Sequence, residues 1–117
     1  MYKVIVAGSR TILNEQFVYE WLDLLINPNS TKIVSGGAKG PDSLALRYAK
    51  DNKIEWALLL ADWDKYKNSA GIMRNKEMGD YADALIAFWD GKSRGTKHMI
   101  DYMVHLKKPV TVIYCYE

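Results

Sequence analysis

Lys3-Val4-Ile5-Val6-Ala7-Gly8-Ser9-Arg10 decides the fold. Four consecutive apolar residues, three of them β-branched, describe a strand buried on both faces, and the run stops at a glycine. Runs of the same length recur at Lys32-Ile33-Val34-Ser35, at Glu55 to Leu60, at Ala84-Leu85-Ile86-Ala87-Phe88, and at Val110-Thr111-Val112-Ile113-Tyr114. Helix-period segments separate them. Residues 15–26 place Phe17, Trp21, Leu24 and Leu25 on one face, and Asn27-Pro28-Asn29-Ser30 ends that helix by turn chemistry. Pro41 suits the first position of a second helix, which buries Leu44, Ala45, Tyr48 and Ala49. Ser69 is the expected cap of a third helix running to about Gly79. A fourth follows Gly95, with Met99, Ile100, Met103 and Leu106 at helical spacing. Strands alternating with helices imply a five-stranded parallel sheet covered on both faces, a three-layer α/β sandwich of Rossmann-like type.

Composition agrees. A chain of 117 residues, 49% hydrophobic and 26% charged, is expected to form a single domain over residues 1–117. A formal charge of +2 does not point to nucleic acid or to an anionic membrane. One cysteine, Cys115, leaves no internal disulfide and no Cys-rich zinc site. The apolar run at the start is too short for a signal peptide, and none approaches a membrane span, so a cytoplasmic location is expected.

In open α/β sheets ligands bind beyond the carboxyl ends of the strands, which singles out four loops. Gly8-Ser9-Arg10 joins a close-approach glycine to two donors. Ser35-Gly36-Gly37-Ala38-Lys39-Gly40-Pro41-Asp42 presents backbone N–H groups at a helix N-terminus, a phosphate-binding arrangement that matches neither a Walker A loop nor the dinucleotide fingerprint. Asp42 would repel a phosphate placed too near, so it is expected to accept from ribose hydroxyls or to shape the loop. Trp63 could stack on a base or seal the core, and Arg74, on the second turn of the third helix, could reach a phosphate. Asp90-Gly91-Lys92-Ser93-Arg94-Gly95-Thr96 repeats the glycine-to-helix pattern with two hydroxyls. Arg10, Lys39, Arg74 and Arg94 then share one rim, as an anionic small molecule would require. His98 and His105 lack an acidic partner at ligand spacing and are read as surface or partly packed residues, so no metal is expected.

These motifs taken together resemble the SLOG superfamily. Gly8-Ser9-Arg10, Ser35-Gly36-Gly37-Ala38-x-Gly40-x-Asp42-x-x-Ala45, Ala70-Gly71-x-x-Arg74-Asn75-x-x-Met78, Asp83-Ala84 and Gly95-Thr96 follow its order across nearly the whole chain, in the manner of the small YspA-like proteins of bacteria and phages. The resemblance implies a Rossmann-like domain that binds nucleotides or nucleotide-derived ligands. It places Asn75 beside Arg74 in the site and implies a homo-oligomer. In the phosphoribohydrolases of this superfamily, a glutamate stands three positions beyond the glycine-threonine pair; here that position is Met99. A thioether neither stabilises an oxocarbenium-like centre nor moves a proton.

The expected function is therefore binding, by sensing or sequestering, of a nucleotide-derived small molecule such as an ADP-ribose-like signal. No cofactor is expected. The ligand-binding candidates are Gly8, Ser9, Arg10, Ser35, Gly36, Gly37, Ala38, Lys39, Gly40, Asp42, Trp63, Arg74, Asn75, Asp90, Ser93, Arg94, Gly95 and Thr96. The alternative is a nucleotide-processing N-glycosidase, for which Asp42, Arg74 and Asp90 would be the catalytic candidates. Nucleic acid is not expected as a partner, for want of a broad basic stripe, and neither is a membrane.

Overall fold

The computed structural model describes residues 1–115. Its elements run β1 (Tyr2–Gly8), α1 (Glu15–Leu25), β2 (Thr31–Ser35), α2 (Pro41–Asp51), β3 (Glu55–Leu58), α3 (Trp63–Tyr66), a 3-10 turn (Lys67–Ser69), α4 (Ala70–Tyr81), β4 (Ala84–Trp89), α5 (Arg94–His105) and β5 (Val110–Tyr114). All five strands are parallel, in the order β3-β2-β1-β4-β5. This is the Rossmann-like arrangement, with the order reversing between β1 and β4.

The uninterrupted apolar run of β1 is explained by what covers it. Val4 and Val6 face one core, closed by Val18 and Leu22 of α1 and by Leu44, Ala45 and Tyr48 of α2. Ile5 and Ala7 face the other, closed by Met78 of α4 and by Met99 and Met103 of α5. Alternating side chains therefore enter opposite cores, and none of the four positions from Val4 to Ala7 is free to be polar. The inner strands carry both cores: Ile5 and Val6 of β1, Ile33 and Val34 of β2, and Ala87 and Phe88 of β4 are fully buried. At roughly 1.5–3 kcal/mol for each large buried side chain, this interior is what holds the strand ends in place.

Three local expectations are corrected. The buried stripe of α1 is Val18 and Leu22, with Phe17 and Trp21 packed at its margin, while Leu24 and Leu25 are exposed. The helix is turned about its axis by roughly one residue from the expected phase. Strand β3 ends at Leu58 rather than Leu60. Ser69 caps nothing: its backbone is already helical and its side chain makes no capping bond. The chain instead enters the helical region at Asp62, whose carboxylate accepts from the Lys65 N–H at 3.0 Å and starts α3. No helix among the described residues is long and apolar enough to cross a membrane.

Candidate nucleotide site at the switch point

A cavity of about 320 Å³ opens where the strand order reverses, between the carboxyl ends of β1 and β4. Arg10 reaches it from the loop after β1, Ala38 and Asp42 from the loop and first turn after β2, and Trp63 from α3. Arg74 and Asn75 reach it from α4, and Ser93, Arg94, Gly95 and Thr96 from the entry to α5. Three arginines thus line one opening, against a single carboxylate among the described lining residues.

Several of the expected ligand donors are spent on building the loops. The Ser35 hydroxyl donates to the Asp42 carbonyl at 2.8 Å and accepts from the Gly37 N–H at 3.1 Å. Ser9 is buried, and its hydroxyl accepts from the Asp90 N–H at 3.1 Å, tying the β1 loop to the β4 loop. Asp90 accepts from the N–H groups of Lys92 and Ser93, both at 2.8 Å, and these bonds hold its carboxyl below the usual carboxylate range. It does not line the cavity, and neither does Lys39, which is exposed on the glycine loop. Gly37 and Gly40 turn this loop with φ of +73° and +94°, where a side chain would be strained. A Cβ on Gly40 would also lie 2.9 Å from the Ser9 carbonyl oxygen. The hydroxyls of Ser93 and Thr96 meet at 3.1 Å as Ser93 caps α5. Gly95, by contrast, has open space where a side chain would stand.

Asp42 is 4% exposed, on the first turn of α2. Burial raises its pKa to about 6, opposed by the Arg74 guanidinium and by hydrogen bonds from the backbone N–H groups of Gly36, Gly8 and Ala38. Arg74 is held from two sides. Its Nη1 donates to the Gly36 carbonyl at 2.9 Å and its Nε to Asn75 Oδ1 at 3.3 Å. The buried Asn75 amide continues through Nδ2 to the Gly95 carbonyl and to His98 Nδ1, each at 3.2 Å.

His98 therefore lines the cavity, where the sequence reading has it as a surface or partly packed residue. Its signal is tertiary: the partner that turns it inward stands on another helix. Met99, read as a core residue, is buried and lines the cavity too, as does Met78 of the Arg74 motif. The position where a phosphoribohydrolase would carry its glutamate thus faces the opening with a thioether.

Comparison with known proteins agrees with this architecture. Residues 2–66 match the model of the YspA, cpYpsA-related SLOG family. The Gene 61 protein of Mycobacterium phage D29 is 36% identical over 106 residues, covering 84% of this chain and 85% of that protein. Among solved structures, DNA processing protein A from Streptococcus pneumoniae superposes with a TM-score of 0.82 at 20% identity over 98% of this chain. Its Helicobacter pylori counterpart, described for a single-stranded DNA binding mode, gives 0.72 at 19% identity over 95%. This chain spans 51% and 64% of those two chains, respectively. The expectation that nucleic acid is not a partner is overturned here, because a structural neighbour of the same fold, the H. pylori protein, is described for its binding of single-stranded DNA. Net charge is a poor guide when a few cations sit on one edge. In motif order, strand order and sequence similarity, this chain belongs to the YspA, cpYpsA-related SLOG family.

Proposed function

We propose that the cavity at the β1–β4 switch point binds a nucleotide-derived small molecule, such as an ADP-ribose-like signal, by its phosphate. The observation that carries this reading is the convergence of Arg10, Arg74 and Arg94 on one opening at the entry to α5, where Gly95 leaves the backbone accessible. The buried Met78 and Met99 supply apolar wall for a base, and the exposed Trp63 indole stands at the mouth. A volume of about 320 Å³ lies at the lower end of the roughly 300–1,000 Å³ of small-molecule sites. One nucleotide unit fits inside, and the remainder of a larger ligand would lie across the mouth.

The test is incubation of the purified protein with AMP, ADP-ribose and NAD, with calorimetry for affinity and mass spectrometry of bound and free fractions. The expected result is recovery of unchanged ligand. Arg74→Ala is expected to weaken affinity about 10- to 100-fold through loss of charge-assisted bonds. Release of a free base would support the N-glycosidase alternative instead, with Asp42 as the carboxylate at the cavity. Failure of all three ligands to bind would remove the reading.

A second reading, prompted by the single-stranded DNA binding described for the H. pylori neighbour, is that this edge takes a nucleotide within single-stranded DNA. Competition between AMP and a short oligothymidylate distinguishes a shared edge from separate ones.

A further inference from the structure

His98 belongs to a hydrogen-bonded chain whose directions are fixed. Arg74 Nε can only donate, so the Asn75 atom facing it at 3.3 Å is the amide oxygen. The Gly95 carbonyl can only accept, so the Asn75 atom facing it at 3.2 Å is the amide nitrogen. That same nitrogen faces His98 Nδ1 at 3.2 Å. Nδ1 must then carry a lone pair, the ring is neutral, and its proton resides on Nε2. Burial and the nearby Lys76 ammonium hold the pKa of His98 below the ordinary imidazole value, against the opposing pull of Asp101. The ring is held further by stacking on Tyr102, with centroids 6.3 Å apart and planes 12° from parallel.

The ring is partly accessible, lines the cavity, and has no protein hydrogen-bond partner at Nε2 among the described residues. It is therefore a donor of fixed sense presented at the site. We propose that His98 contacts the ligand, its Nε2–H bonding to an acceptor on the base of a bound nucleotide while Asn75 positions the ring. The inference rests on the nucleotide reading above. The base is the partner because Arg10, Arg74 and Arg94 supply the charge for the phosphate, Arg94 at the start of α5. His98 lies one helical turn further along, next to the buried Met99. A donor of fixed sense discriminates an acceptor from a donor on the edge of a base.

Two measurements test this. Nitrogen-15 histidine NMR of the free protein is expected to show Nδ1 unprotonated and Nε2 protonated for His98 at neutral pH. Calorimetry with AMP and with ribose phosphate is expected to show His98→Phe, which keeps a ring against Tyr102, weakening AMP about tenfold while changing ribose phosphate by less than about twofold. His98→Gln, which retains a donor, is expected to hold AMP within about threefold of wild type. A proton on Nδ1, an unchanged AMP affinity in His98→Phe, or equal losses for AMP and ribose phosphate would each overturn the proposal and leave the nucleotide reading standing. Wild-type protein that binds neither probe would overturn both.

Discussion

Gly8 and Gly36 both stand at strand ends on the ligand edge, yet a methyl group added to each would do different things. A Cβ on Gly8 would come within 2.5 Å of the Phe88 carbonyl oxygen and of Pro41 Cγ. The first belongs to the backbone of a central strand and the second to a rigid ring at the start of α2, so neither can give way. Gly8→Ala is expected to cost about 1–3 kcal/mol in urea unfolding, the range for overfilling a packed interior. A Cβ on Gly36 would meet the far end of Arg74, a flexible side chain. Arg74 can swing away, at the loss of its bond to the Gly36 carbonyl and its alignment on Asn75. Gly36→Ala is therefore expected to lower AMP affinity about tenfold with less than about 1 kcal/mol of lost stability. Measuring both quantities on both variants separates a glycine that lets the fold close from one that lets the arginine dock. Similar losses of stability in the two variants would contradict this division.

At the level of elements, the sequence reads well where one element decides its own structure. The five strands, the proline start of α2 and the cationic loops at strand ends were legible because each depends on local periodicity or turn chemistry. Helix α3 was not, since four residues, none buried, leave no apolar pattern. Nor was the spending of Ser9 and Ser35 on loop closure, because their partners lie in another loop and in the following helix. His98 escaped for the same reason, its orientation being set by Asn75 on α4. Asp42 is the case where helix and site pull against each other. Its place in the first turn of α2 favours a carboxylate electrostatically, but the packing of α2 against the strand ends buries it and raises its pKa from 3.8 to about 6. Between those values the native protein holds more protons than the unfolded chain, so this group's contribution to stability falls as pH rises from about 4 to about 6 and is regained on acidification. The charged form costs on the order of 3 kcal/mol at pH 7. In Asp42→Asn that dependence is absent. The stability difference between variant and wild type is therefore expected to move by on the order of 3 kcal/mol in the variant's favour between pH 4 and pH 7.5, as read by urea unfolding at each pH. A constant difference would mean that Asp42 ionises normally within the fold.

For the whole molecule, the question is what a charge of only +2 permits. Sixteen basic and fourteen acidic residues nearly cancel, and the imbalance that matters is local: Arg10, Arg74 and Arg94 on one cavity against Asp42. That inventory limits single-stranded DNA as much as it admits it. Each phosphate neutralised on a single strand releases roughly 0.7 of a counterion, so three arginines give a slope of log affinity against log salt of about −2. A short oligothymidylate held by the switch-point edge is thus expected to show a slope near that value. It should be displaced by AMP and lose most of its affinity in Arg74→Ala. Extended basic tracks give much steeper slopes, because many phosphates are engaged at once. A slope of about −5 or steeper, or binding indifferent to AMP, would mean that DNA follows a path away from the cavity. A slope near −2 with full competition would mean that the free nucleotide and the strand are two forms of one ligand. The sheet's reversal between β1 and β4 would then be the feature that recognises both.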